Sequence, residues 1–354
     1  VNAKVQAPTR RKKVLEPTPE KAPTKRRSLS PEEREQRIQD LKEELNTAVL
    51  GIMEYPAQWV EFLETVSDFA ASYSWTNQLL IWRECRKRGF FPTMVKAAGD
   101  LGVQRWGRTP QYGWAGLGRA PKKGEKGLRI WRPAFKRFTE AEYQALPTKP
   151  PRDAQGRPPT RLVGFVIEHV FDISQTQGAD VELPRTYTTR RQVLVQGTLP
   201  VLLTGEDVTG SLQMVIGLIE EQGYSFSRVP PTTLGSANGR TIKRSDGTQL
   251  VQVRDDVDDA QAMKTSVHEL AHILCGHLDD DDYVEHKGRC ETEAESVAYI
   301  VCGALGMDTG QYSAPYVASW ADGKPEVVEA AAKKITEVSK YLLGLLIPAE
   351  EEAA

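Results

Sequence analysis

Apolar residues recur at three- and four-residue intervals through much of the chain and give way to denser β-branched runs in a few stretches. From about Pro56 to Ala71, Trp59, Phe62, Leu63, Val66 and Phe69 fall on one face, which predicts an amphipathic helix. Ser74–Arg88 reads as another helix, stopped by Gly89 and Pro92. Upstream, Ser30-Pro31-Glu32-Glu33 predicts a helix start. Ser30 is the N-cap, Pro31 opens the first turn, and Glu33 holds the capping-box position. Leu128–Arg132 and Arg161–Asp172 read as strands, the second rich in Val, Ile and Phe. Between them Pro147–Pro159 is expected to be a mobile insertion.

The second half begins with a predicted helix over Asp207–Gln222 and a strand over Tyr224–Val229. Arg240–Lys243 and Gln249–Arg254 form a predicted hairpin around Ser245-Asp246-Gly247. Helices are expected over Asp259–Leu274, Glu291–Leu305 and Pro325–Leu345. The character of the chain changes around Gly178–Thr188, where we place a domain boundary. The expected fold class is α+β, with two domains at 31–185 and 186–346 and a C-terminal tail at 347–354. Residues 1–30, rich in Pro, Lys, Arg and Thr, are expected to be a disordered basic tail.

Composition narrows the function classes. The chain has 354 residues, which is long enough for two ordinary domains. Mean hydropathy is -0.45, and no apolar stretch approaches the roughly 18 residues of a membrane helix. The N-terminus lacks the apolar segment of a secretory signal. Four cysteines fit a reducing compartment, so the expected setting is cytoplasmic, with no membrane partner. A net charge of -2 conceals an asymmetry. Residues 59–136 carry fourteen Lys/Arg and six Asp/Glu, whereas residues 250–310 carry four and fourteen. The basic half points to a polyanion such as nucleic acid.

His268-Glu269-Leu270-Ala271-His272 is H-E-x-x-H. On a helix, positions i and i+4 share a face, so both imidazoles can reach one ion. Glu269 between them can take a proton from water activated by that ion. A catalytic zinc site needs a third protein ligand and an open position. The apolar residues Ala294, Val297, Ala298, Val301 and Cys302 define the inward face of the next helix. Glu291 lies on that face and Glu295 one turn further, which predicts Glu291 as the third Zn2+ ligand and Glu295 as the acceptor of an imidazole N–H. Glu293 is expected to face solvent. His277 is the alternative ligand, but its five-residue spacing from His272 departs from the Gly-turn zinc pattern. Tyr312 or Tyr316 is a candidate for stabilising an oxyanion.

Six of the seven tryptophans fall between Trp59 and Trp131, interleaved with Arg and Lys. Aromatic platforms for bases in a cationic groove are what single-stranded nucleic-acid binding needs. Trp59 and Trp82, at helical apolar positions, read as core. Trp106, Tyr112 and Trp114 are candidates for exposure. The Gly118–Gly127 loop is basic but lacks the phosphate-loop pattern that nucleotide hydrolysis requires.

Two resemblances follow. His268–His272 with the Glu291–Ala298 helix resembles the gluzincin-type peptidases of the ImmA/IrrE kind, over about residues 195–345. Tyr73-Ser74-Trp75-Thr76-Asn77-Gln78-Leu79-Leu80-Ile81, Trp114 with Gly118-Arg119, Lys123-Gly124-Glu125-Lys126-Gly127, and Val170–Thr176 resemble the N-terminal domain of ArdC-type antirestriction proteins. Together these imply a single-stranded-DNA-binding domain followed by a zincin-like metallopeptidase domain that is similar to SPRTN-like proteases. The resemblance implies DNA contacts at Trp75, Asn77, Trp114, Arg119, Lys122, Lys123, Lys126 and Arg129. It also implies a protein substrate and a role in protecting incoming plasmid or phage DNA. Two other functions stay open: a DNA-coating protein whose metal site is structural or vestigial, and a peptidase that cleaves one repressor or regulator.

Overall fold

The computed structural model describes residues 30–69, 73–99, 113–181, 210–280, 282–307, 321 and 323–347. The architecture is mixed α+β. Helix α1 (Pro31–Glu54) starts on the Ser30 capping box, with Glu33 N–H donating to Ser30 Oγ and Ser30 N–H donating back to the Glu33 carboxylate. Helices α2 (Pro56–Phe69) and α3 (Trp75–Lys87) follow, and Ser74 caps the latter.

Strand β1 (Val95–Ala97) pairs with the end of β4 (Thr160–Asp172), and β4 pairs along its length with β3 (Leu128–Arg137). The sheet order is β1-β4-β3, all antiparallel. The short helix α4 (Gly113–Gly116) leads into β2 (Arg119–Pro121), which pairs with β5 (Thr176–Gly178). Beyond the reach of β1 the β3–β4 hairpin is two-stranded. It leaves Phe135, Leu162, Val163 and Phe165 each more than half exposed.

Helix α5 (Glu140–Gln144) and the 147–159 segment cap that hairpin. The expected mobility of 147–159 is opposed by specific contacts. Arg152 stacks 4.4 Å over Tyr143, the Tyr143 hydroxyl donates to the Pro150 carbonyl, and Asp153 accepts from Arg137 and Arg157.

The C-terminal part holds α6 (Ser211–Glu221), β6 (Ser225–Val229), α7 (Pro231–Leu234), β7 (Gly239–Lys243) and β8 (Gln249–Arg254). Strand β8 is central, parallel to β6 and antiparallel to β7, which leaves β7 at an edge. Three helices complete the described chain: α8 (Asp259–Leu274), α9 (Tyr283–Ala304) and α10 (Pro325–Leu346). Helix α9 begins eight residues before the expected Glu291.

One apolar cluster runs through both halves. It joins Ile52, Trp59, Phe62 and Trp82 to Val215, Val251, Leu270, Val297, Ile300 and Ile335. A smaller cluster of Ile81, Cys85, Val95, Leu128, Ile130 and Val170 seats the first sheet on the opposite side of α3. Among the described residues, no helix is long and apolar enough to cross a membrane.

Candidate metal centre and basic surface

Helix α8 carries His268 and His272 one turn apart, and α9 packs beside it to deliver Glu291 and Glu295. The His268 and His272 Nε2 atoms are 3.1 Å apart, and Glu291 Oε2 is 3.5 Å from the first and 3.8 Å from the second. Ligands about 2.0–2.1 Å from a tetrahedral zinc are separated by about 3.3 Å from one another, so this triangle matches such a centre closely.

The donor chemistry fits as well. His268 Nδ1 lies 3.2 Å from Glu295 Oε2, and the Lys264 ammonium holds the other Glu295 oxygen at 2.8 Å. With its Nδ1–H given to that carboxylate, His268 in the neutral form that binds a metal turns a lone pair toward His272 and Glu291. Electron pairs converging on one point call for a cation. In the metal-free chain a proton on His268 takes the place of that cation. Burial disfavours the His268 imidazolium, but Glu291 and Glu295 outweigh it and push the pKa up to about 10. The two histidines hold Glu291 well below the usual carboxylate range. Burial works against the Glu295 charge, yet His268 and Lys264 bring its pKa down to about 2.

Glu269 is buried and points toward β7. The Thr241 hydroxyl donates to its Oε2 at 2.7 Å. Gly239 leaves room for it, since a Cβ there would stand 2.8 Å from Glu269 Oε1 and 2.5 Å from Thr265 Cγ2. An edge strand therefore passes directly across the carboxylate of the H-E-x-x-H motif.

The structure changes the expectation for Glu293. It is buried rather than solvent-facing, and it accepts from His277 Nε2 at 2.9 Å while Lys334 stands 3.4 Å away. Helix α9 is buried around most of its circumference, so apolar spacing does not single out its outward positions. His277 lies beside His272, with the two Nδ1 atoms 3.0 Å apart, and away from the Glu291 triangle. Cys275, His277 and Glu293 form a second close set of donor groups. Sequence reasoning missed Thr241, Lys264 and Tyr283, whose hydroxyl donates to Glu291 Oε1 at 3.2 Å. Tyr312 and Tyr316 lie outside the described residues.

The candidate DNA contacts divide into packed and exposed groups. Trp114 is fully buried, and its indole N–H donates to the Phe171 carbonyl, so it offers no face for a base. Asn77 is buried as well. Its amide donates to the Trp131 carbonyl and accepts from the Trp131 N–H, which pins α3 to β3. Both residues depart from the expected contact role because their polar atoms are committed to the backbone. Trp75 is partly buried against the large cluster. Arg119 lies 5.9 Å over the Trp114 ring and donates to Thr176, and Arg129 pairs with Glu44 at 2.8 Å. Lys122, Lys123 and Lys126 are exposed on the β2–β3 connection, with the Lys122 ammonium donating to the Ser174 carbonyl. Trp106 and Tyr112 lie outside the described residues.

The chain is similar to solved ArdC structures. Two crystal structures of antirestriction ArdC protein from the R388 plasmid, one metal-free and one Mn(II)-bound, share 16% and 15% identity with it. They match over 77% and 78% of this chain and 85% and 86% of theirs, each with a TM-score of 0.41. An uncharacterized protein of Bacillus anthracis is 23% identical over 321 residues, 86% of this chain and 50% of that protein. The chain thus spans about half the length of the curated relative it matches. No family model matches.

Proposed function

We propose that the chain is a single-stranded-DNA-binding metallopeptidase with Zn2+ held by His268, His272 and Glu291. The observation that carries the reading is the triangle of two imidazole nitrogens and one carboxylate oxygen, with edges of 3.1, 3.5 and 3.8 Å, beside the buried Glu269. When bound, the ion supplies Lewis acidity toward water and toward a peptide carbonyl oxygen. Glu295 orients His268, and Tyr283 orients Glu291. Glu269 serves as general base for the attacking water and then passes the proton to the leaving amine. Thr241 holds the Glu269 carboxylate in place for both transfers. Among the described residues β7 is an edge strand of its sheet, a position at which a substrate segment could join as a further strand.

The DNA-binding part of the proposal rests on charge and exposure. Lys122, Lys123 and Lys126 are exposed on one loop, with Lys122 giving one N–H to the Ser174 carbonyl, and together they offer positive charge to phosphates. The β3–β4 hairpin presents Phe135 and Phe165 as exposed rings, with Arg132, Lys136 and Arg161 on the same arm. Exposed rings among cations are suited to stacking bases along a phosphate track. With the motifs that resemble the ArdC N-terminal domain, this favours single-stranded DNA, and protection of incoming DNA is the biological role we assign.

The test compares wild type with Glu269→Gln for zinc content, single-stranded DNA binding, and cleavage of proteins bound to that DNA. The proposal expects cleavage in wild type only, with DNA and zinc bound equally by both. If neither chain cleaves anything while both bind DNA, the DNA-coating alternative replaces it.

A further inference from the structure

The proposed metal centre leaves a buried pair unused. Glu293 and His277 are almost completely buried, and they connect in line to His272. His277 Nε2 is 2.9 Å from Glu293 Oε2, and His277 Nδ1 is 3.0 Å from His272 Nδ1. Lys334 and Arg289 approach the Glu293 carboxylate at 3.4 and 3.7 Å, which compensates its charge inside the protein.

Hydrogen-bond valence orders the protons along this line. A carboxylate only accepts, so His277 Nε2 carries the hydrogen between it and Glu293. A neutral imidazole with Nε2–H has a bare Nδ1, which must then accept from His272. His272 therefore carries its proton on Nδ1, and its Nε2 is a lone pair turned toward His268 and Glu291.

We infer that His277 and Glu293 are positioning residues: a two-step relay, Glu293–His277–His272, that fixes the tautomer and ring orientation His272 needs to hold a metal ion. The inference rests on the metal centre proposed above. The relay also explains why His277 follows Gly276, whose left-handed backbone (φ +74°) ends α8 and turns the next side chain back under His272. The competing use of the same residues is a second ion held by Cys275, His277 and Glu293. The relay disfavours it, because both His277 nitrogens already have partners and a lysine ammonium sits on the carboxylate.

The test measures Zn(II) affinity by competition with a chromophoric chelator, and Co(II) stoichiometry and absorption, on the full chain. His277→Phe keeps a planar ring, at the cost of some added bulk, and removes the acceptor, His277→Gln restores a side-chain acceptor, and Glu293→Gln removes the charge while keeping the shape. The expected result is one ion per wild-type chain. His277→Phe and Glu293→Gln should bind about 10–100-fold more weakly, the usual loss when a partner behind a metal ligand is removed. His277→Gln should recover most of the loss, which a purely space-filling role for His277 would not produce. Circular dichroism of the metal-free variants checks folding, and Glu293→Gln carries the test if His277→Phe does not fold. Wild type that takes up no ion overturns the metal centre and the relay with it. Wild type that binds one ion while His277→Phe and Glu293→Gln bind it equally well overturns the relay alone. Two cobalt ions per chain, with a sulfur-to-cobalt absorption band lost in Cys275→Ser, would replace the relay with a second metal site.

Discussion

The indole N–H of Trp59 on α2 donates to the hydroxyl of Ser296 on α9, 3.3 Å away across 237 positions of sequence. Ser296 sits between Glu295 and Val297 on the helix that also presents Glu291. The N-terminal helices thus support the back of the helix whose front carries the candidate metal ligands. Trp59→Ala is expected to destabilise the protein by about 3–5 kcal/mol, the range for emptying a large aromatic site in a core. Chemical denaturation checks this, and zinc uptake should weaken along with stability. A loss below about 1 kcal/mol would mean that the contact is incidental.

Crowding beside the proposed general base gives a second expectation. Gly239→Ala places a methyl 2.8 Å from Glu269 Oε1, so the carboxylate must shift or β7 must withdraw. Peptidase activity should fall by about tenfold or more, the scale for displacing a reacting group by an ångström. Zinc content should be unchanged, because Gly239 touches no proposed ligand. Equal loss of metal and activity would place the damage in the fold rather than at Glu269.

The metal-free chain should lose stability as the pH rises from about 6.5 toward 10. The folded His268 pKa of about 10 lies above its ordinary 6.5, so the contribution of the imidazolium is complete below 6.5 and disappears through the folded value. Glu291 and Glu295 act in the opposite sense. Their folded values lie below the ordinary 4.5, so their contribution is present above it and is lost as the pH falls. Melting temperatures across this range, with and without zinc, are the measurement. His268→Gln should flatten the alkaline limb, and an unchanged limb in that variant would refute the assignment.

Salt should separate the two kinds of DNA contact. Single-stranded binding loses about 0.7 in logarithmic slope per phosphate contact removed. Replacing Lys122, Lys123 and Lys126 together with Gln is therefore expected to lower the slope by about 2. Phe135→Ala should weaken binding at every salt concentration by about 1–3 kcal/mol and leave the slope alone. Fluorescence anisotropy with a labelled oligonucleotide distinguishes these outcomes. Identical curves for both variants and wild type would remove DNA from this surface.

Regular periodicity made much of the fold legible. The limits of α8 follow from its apolar spacing, and the start of α1 follows from Ser30 and Glu33, because each depends on local geometry. The short elements β1, α4 and β2 leave no such period and emerge only through pairing with distant strands. At the candidate site, helical spacing brought Glu291 and Glu295 to the face that meets His268, but it misplaced Glu293. A helix packed by α8 on one side and α10 on another has two inward faces, and one-face arithmetic sees a single one. Trp114 misled for a different reason. A glycine-rich, basic neighbourhood resembles a loop open to ligand, yet its indole is anchored to the Phe171 carbonyl.

The apolar cluster that spans α2, α8 and α9 has a mechanical consequence. Two functions on a flexible tether explore a volume, and their joint efficiency depends on how often they meet. Here the helix pinned to the first sheet and the helix bearing the H-E-x-x-H motif share one interior. On the function proposed above, the distance between a strand of DNA held at Lys123 or Phe135 and the carboxylate of Glu269 would then be set by that shared interior, as the span of a caliper is set by its frame. Which proteins on the DNA come within reach would be decided by their footprint from the gripped nucleotides, as a matter of length rather than of chance.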